Sequence, residues 1–413
     1  MSKAGIAKLK SHIIVPHRFI FYYFYYNYFI IPIIKLFDNK AGFHEIPRCI
    51  LFFVDYCMYN VCMDSIYTYL RSRKDISFNA LPLNEIDILI FNVLAYQDFS
   101  WIGQNKMRLK DAANLYLGRK NVDPTLDSVD FRRSVLTLAA FGKRYENVYI
   151  ERPVKDINEE EIKTFYAITF HVMPFTTVVA FRGTDDSILS WKENFTFFYK
   201  NPTQGETDSL NYLFSAMKNP FNNVIVSGHS KGGFLALYAA MNIPGKLKKR
   251  IKNIYLFDAP GIPGDYFDEK KYNEVKDRIK AYVPTTCVVG NLFNPIFEKT
   301  IVQGTGAPFV MHDIINWYVG PDGFETAKET DEFSHSFSDS LNGIIASVTP
   351  EEREDAISEI FKIFEAAGIK AMSDFNKINA LSVFNGIAAY TQASAGAKNF
   401  IKTFTQMMLK QKK

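Results

Sequence analysis

NVIVSGHSKGGFLALYAAM, residues 223–241, passes from a β-branched strand pattern (Val224-Ile225-Val226) to a helical one (Phe234, Leu235, Leu237, Tyr238). Ser230 lies between, in the middle of Gly228-His229-Ser230-Lys231-Gly232. G-x-S-x-G alone is a weak signal, because glycine and serine are common residues. A strand directly before it and a helix directly after it make it a nucleophile elbow. In that turn the serine backbone is strained, and any side chain at the two flanking glycines would collide with strand or helix. The turn presents the hydroxyl at the end of a strand and at the positive N-terminus of a helix.

Outward from the elbow, strands alternate with helices. Thr164–Val172 and Thr176–Phe181 read as a hairpin joined through Met173-Pro174-Phe175. The second strand ends in Arg182-Gly183-Thr184-Asp185-Asp186, and Trp191 and Phe195 open a helix beyond it. Further upstream, Ile86, Leu89, Ile90, Val93 and Leu94 recur at helical spacing after Pro82, predicting an amphipathic helix. Phe131–Phe141 predicts another helix, and the acidic run Asn158–Glu161 a solvated turn.

Downstream, strands are expected at Asn253–Phe257, Arg278–Val283 and around Thr300–Gln303. They lead respectively into Asp258-Ala259-Pro260-Gly261, Pro284-Thr285-Thr286-Cys287 and Met311-His312-Asp313. Lys246–Lys252 reads as a basic, solvated stretch. Thr349-Pro350-Glu351-Glu352 is a capping box with proline at the first helical position; Ile357, Ile360, Phe361 and Phe364 line the buried face and Gly368 ends the helix. The alternation predicts an α/β domain with a mostly parallel sheet. The expected organisation is an N-terminal segment 1–62, an α/β domain 63–370 and a helical tail 371–413.

The first 62 residues differ from the rest. Every charge before Asp38 is basic, and FIFYYFYYNYFIIPII carries none. That run is short for a membrane span and rich in tyrosine, and no small-residue cleavage site follows it. Three readings stay open: an anchor at a membrane surface, a segment packed on the domain, or a spurious upstream extension with Met63 as the start. The 413-residue chain has a net charge of +4 without a Lys/Arg block, which speaks against nucleic acid. Its four cysteines (Cys49, Cys57, Cys62, Cys287) have neither zinc nor disulfide-framework spacing, so a reducing, cytoplasmic compartment, no metal and no cofactor are expected.

A serine becomes a nucleophile when a base takes its proton and a third group holds that base in the right tautomer. Two histidines follow Ser230 in the chain, His312 and His335. His312, beyond a strand end, is the expected base; His335 reads as a helix-start or surface residue and His229 as structural. Asp258, closing the strand after the nucleophile strand, is the leading acid, with Glu298, Asp265, Asp313 or a Ser–His dyad as alternatives. The loop where an acid more usually stands holds Thr285-Thr286-Cys287 instead. For a developing oxyanion, the backbone N–H of Lys231 is one donor, and Thr184 offers a second from the loop after an earlier strand. Arg182 reads as a structural ion-pair partner of Asp185 or Asp186.

VVAFRGTDDSILSWKENF, VIVSGHSKGG and the His312 segment resemble the fungal-type (class 3) lipases. With SFNALPLNEIDILIFNVLAY, AFGKRYENV, FDAPGI, YVPTTCVVGNLF and MHDIINWYVGPDGF, the chain from Met63 to Gly368 is similar to a bacterial offshoot known as the Mbeg-like domain of unknown function. The resemblance implies an α/β-hydrolase fold, Ser230 as nucleophile, His312 as base, and Thr184 with Lys231 at the oxyanion. It implies no acid, since class 3 lipases carry theirs where this chain has Thr285-Thr286-Cys287. Asn194 stands where the bacterial relatives usually have aspartate. The expectation is a serine esterase or lipase-like hydrolase of an ester or thioester with an acyl chain. Its partners would be a small-molecule or lipid ester, and a membrane surface through residues 1–62. The rival expectation is a non-catalytic binding scaffold.

Overall fold

A strand covered on both faces has to be apolar at successive positions, which is how the runs around residues 178–181, 224–226 and 254–257 read. In the computed structural model, which describes residues 65–118, 129–172, 175–371, 374, 380–399 and 402, these runs form the middle of one sheet. Its described strands are β1 (Lys106–Arg108), β2 (Val148–Asn158), β3 (Lys163–Val172), β4 (Thr176–Phe181), β5 (Asn223–His229), β6 (Ile251–Phe257), β7 (Ile279–Pro284), β8 (Lys299–Val302) and β9 (Thr326–Ala327). They lie side by side in chain order. From β4 to β8 every pairing is parallel; β1 to β4 form an antiparallel meander, and β9 closes the other edge antiparallel.

Alternate residues of these strands feed two cores. Val178, Ala180, Ile225, Tyr255 and Phe257 pack with helices α1 (Ile66–Arg73), α2 (Glu85–Leu94), α3 (Leu109–Leu117) and α4 (Val129–Ala140). After α5 (Ile188–Thr196) in the chain come α6 (Gln204–Ala216) and α7 (Lys231–Asn242), onto which Val179, Phe181, Val224, Val226, Ile254 and Leu256 face from the other side of the sheet. A third cluster joins α5 to α8 (Glu332–Ala346) and α9 (Pro350–Ala366) through Trp191, Phe195, Phe337, Leu341, Ile357 and Phe361. α10 (Ala380–Gln392) packs on α9. A parallel sheet between two helical layers, with the serine turn joining β5 to α7, is the α/β-hydrolase fold.

The structure departs from expectation at three places. α2 is not amphipathic: every residue from Ile86 to Leu94 is buried, Asp87 and Asn92 included. Its polar residues are admitted because they have partners. Asp87 receives hydrogen bonds from Arg144 and from Tyr145 Oη (2.7 Å), and Asn92 Nδ2 donates to Ser227 Oγ on β5 (3.0 Å). Within the basic stretch, Lys248 is buried, its ammonium donating to Met241 O at 2.8 Å and paired with Glu274. His312 follows a helical turn at Pro308–Met311, not the end of β8 directly. Residues 1–62 with Cys49, Cys57 and Cys62, and the basic end of the tail, lie outside the described residues. Among the described residues, no helix is long and apolar enough to cross a membrane.

Candidate active site

β5 and β6 are in register up to the pair His229–Phe257, so Ser230 and Asp258 are the residues immediately beyond two adjacent strand ends. The ladder carries on through them, with Ser230 N donating to Phe257 O (2.9 Å) and Asp258 N to Tyr282 O (2.7 Å). Both have positive φ, 56° at Ser230 and 43° at Asp258, backbone that non-glycine residues enter rarely and that clusters at functional sites. The glycines flanking Ser230 make its turn possible. A Cβ on Gly228 would lie 2.1 Å from the carbonyl carbon of Gly232, and one on Gly232 would lie 2.0 Å from Phe181 O.

His312 reaches both strand ends. Its Nε2 is 2.9 Å from Ser230 Oγ, and its Nδ1 is 2.6 Å from Asp258 Oδ2. With the carboxylate as acceptor, Nδ1 carries the proton and Nε2 is left to accept from the serine hydroxyl. Asp258 is wholly buried and its other oxygen is occupied too: Gly290 N donates to Oδ1 at 2.9 Å and the Cys287 thiol at 3.2 Å. Burial, and then the neighbouring Asp258, push the Cys287 thiol well up, so it remains an S–H donor. The other acids are engaged or turned away. Asp265 pairs with Arg353 (2.7 Å), Asp313 pairs with Arg132 (2.9 Å), and Glu298 is exposed. His335 is exposed on α8, 3.0 Å from Thr330 Oγ1.

The opposite wall comes from β4, which lies parallel to β5 with Phe181 beside Gly228. The loop it feeds holds Thr184, whose hydroxyl lies 2.6 Å from Asn194 Nδ2 and 3.0 Å from Asn194 Oδ1 on α5. Lys231 opens α7, so its N–H has no acceptor four residues back within the helix. Its side chain runs away from Ser230 into the core, donating to Thr164 O and Oγ1, both at 2.8 Å, and forming an ion pair with Glu193. Both partners are about 1% exposed, and removing either one would leave a bare buried charge. Arg182 pairs with Asp185 at 2.8 Å and lies over the Tyr166 ring, which makes it structural.

Of the two neighbours of the site, His229 was expected to be structural and Tyr96 was not singled out by the sequence. Tyr96, just past α2, donates its hydroxyl to His229 Nδ1 (2.7 Å), and His229 Nε2 is 2.9 Å from the backbone oxygen of His312. Burial, and next the nearby His312, hold the His229 pKa down to about 3, so the ring is neutral. Position 229 stood out only as part of the elbow, and nothing marks one tyrosine among 23. A cavity of about 380 Å³ lies elsewhere, lined by Leu237, Ile262, Phe267, Phe293 and Ile345; Ser230, His312 and Asp258 are not in its wall. Among the described residues, no group of His, Cys, Asp and Glu is arranged to hold a metal ion.

Fold and strand-end geometry together define an α/β-hydrolase-type protein with a Ser–His–Asp hydrogen-bonded chain. Residues 139–362 match the Mbeg1-like family, and the chain belongs to that family. Among solved structures it is similar to a fungal lipase at 12% identity, covering 60% of this chain and 87% of that one with a TM-score of 0.37. It is also similar to the lipase from Rhizopus microsporus var. chinensis (15% identity, 62% and 84% covered, TM-score 0.33). A third is lipase II from Rhizopus niveus (15%, 58% and 86%, 0.33). No curated protein matches the chain at a significant level.

Proposed function

We propose that the protein is a serine hydrolase that cleaves an ester or thioester, with an acyl group passing through Ser230. The observation that carries this is the continuous chain Ser230 Oγ–His312 Nε2, His312 Nδ1–Asp258 Oδ2, at 2.9 and 2.6 Å. In the first half-reaction Ser230 Oγ attacks the carbonyl carbon and its proton passes to His312 Nε2. Asp258 keeps the ring oriented and stabilises the imidazolium. The negative charge on the former carbonyl oxygen meets the N–H of Lys231, at the positive end of α7, and the donors of Thr184. Asn194 holds the Thr184 side chain through both atoms of its amide, which fixes the loop that presents the threonine. His312 then returns its proton to the departing alcohol or thiol. In the second half-reaction a water gives its proton to His312 and its oxygen to the acyl carbon, and Ser230 regains its hydroxyl.

The rival reading, a binding scaffold, rested on the missing carboxylate at Thr285-Thr286-Cys287. A carboxylate arriving from β6 removes that motive. Labelling with a fluorophosphonate tests the proposal directly. Wild type should label, Ser230→Ala should not, and Asp258→Asn should label about 10³- to 10⁴-fold more slowly, since the wrong histidine tautomer then prevails. An unlabelled but folded wild type would sink the proposal.

A further inference from the structure

Met311, His312 and Asp313 are each tied down separately. Trp317 Nε1 donates to Met311 O at 2.9 Å, and Arg132 pairs with the Asp313 carboxylate at 2.9 Å. Between them the backbone oxygen of His312 is 2.9 Å from His229 Nε2. The two imidazoles lie close, with ring centroids 4.8 Å apart and planes tilted by 34°. Behind His229, Tyr96 Oη sits 2.7 Å from Nδ1. The tyrosine is itself packed in: Arg132 lies over its ring, and a Cβ on Gly183 would come within 2.5 Å of its hydroxyl. Tyr96 therefore touches the serine turn, the loop carrying Thr184 and the Arg132 that anchors Asp313.

The proton positions in this chain have one consistent solution. The phenol is buried, and burial raises its pKa, so it stays O–H, able to donate or accept. His312 O can only accept, so the neutral ring carries its proton on Nε2 and leaves Nδ1 to accept from the phenol. That proton points at His312 O, an acceptor with no proton of its own. Had the ring taken the other tautomer, the phenol oxygen could accept from Nδ1–H, but His312 O would face a bare nitrogen, two buried acceptors with no proton between them.

We propose that Tyr96 and His229 form a positioning relay that fixes the His312 main chain and so holds the Nε2 of its ring at Ser230 Oγ. The inference rests on the hydrolase reading for its kinetic consequence, though not for its geometry. His312 follows only a short helical turn, so its ring direction depends on what holds its peptide. Misplacement of a reacting group by about 1 Å can cost about a hundredfold in rate. Neither Tyr96 nor His229 touches the reacting atoms, so both act through His312.

Four variants and one spectroscopic measurement test this. His229→Phe keeps a ring but no donor, and its kcat on a soluble ester should drop about 10- to 100-fold with KM within about twofold. Glutamine places an amide N–H where Nε2–H was, so His229→Gln should recover most of that loss. The amide of His229→Asn lies at the Nδ1 position and should not. Tyr96→Phe should fall between wild type and His229→Phe. Equal kcat for wild type and His229→Phe, or no difference between Gln and Asn, would overturn the relay. Nitrogen-15 NMR of the histidine rings reads the tautomer without turnover: His229 should be protonated on Nε2 and bare on Nδ1, because His312 O takes the Nε2 proton. A wild-type His229 protonated on Nδ1 would overturn the relay by itself. If wild type neither turns over nor labels, the hydrolase reading falls, and the NMR result still decides the relay.

Discussion

His229 and Glu206 are single residues whose burial writes opposite pH dependences into the same fold. His229 titrates at about 3 when folded and at the ordinary 6.5 when unfolded. Between those values the unfolded chain binds a proton that the folded one refuses, so stability falls as pH falls from about 6.5 toward 3. Glu206 is raised by burial from 4.5 to about 7. Its protonated form is the one the fold prefers, so stability falls as pH rises from about 4.5 through 7. From 4.5 to 6.5 the two slopes oppose each other, each at most about 1.4 kcal/mol per pH unit. Over that range the pair should cancel in wild type. Glu206→Gln should expose a stability that climbs with pH, and His229→Gln one that declines with it. Denaturation midpoints across pH 4 to 8 check this, and parallel curves for the two variants would refute it.

Among the elements, α2 carries more of the site than its sequence suggests. It supplies Asn92 to Ser227 on the serine strand, and Tyr96 follows its C-terminus. Its own seat depends on Asp87, held by Arg144, which also donates to the backbone oxygens of Ile76, Leu81 and Pro82. Neither side chain of that pair has any exposure. Arg144→Met should leave Asp87 as an unpaired buried charge and cost about 3–5 kcal/mol. Adding Asp87→Leu should return much of that stability, because a buried pair replaced by apolar groups is often nearly neutral. Urea midpoints of the two single variants and the double variant test this; a double variant no more stable than Arg144→Met would count against it.

The same helix shows where sequence reasoning stops. The spacing of Ile86, Leu89, Ile90, Val93 and Leu94 marks one apolar face, yet Ile88, Phe91 and Asn92 are buried too. Periodicity reports which face is apolar, not whether the rest is covered by another layer. Ser230 was legible because its strain, its glycines and its helix are all local in sequence. Asp258 was legible only as one acid among four, since its claim depends on β5 and β6 ending level. Tyr96 was illegible: its partner His229 lies 133 residues along the chain, and only the folded sheet brings them together.

At the scale of the whole molecule, we propose that the unit competent to fold begins at Met63. The described core starts with α1, where Ile66, Tyr69 and Leu70 are at most 1% exposed. Tyr69 Oη donates to Asn84 Oδ1, the cap of α2, at 3.0 Å, and Arg144 N donates to Lys74 O just past α1 at 2.8 Å. A chain beginning at Met63 retains all of this and should be soluble, with the same urea midpoint and the same fluorophosphonate labelling as the full chain. One beginning at Leu83 loses three buried side chains worth about 1.5–3 kcal/mol each, a total comparable with the whole stability of a typical domain. It also strips Arg144 of four carbonyl partners, Lys74, Ile76, Leu81 and Pro82. Loss of folding in the second chain with retention in the first places the boundary between residues 63 and 83. Failure of the Met63 chain to fold would instead make residues 1–62 part of the packed domain.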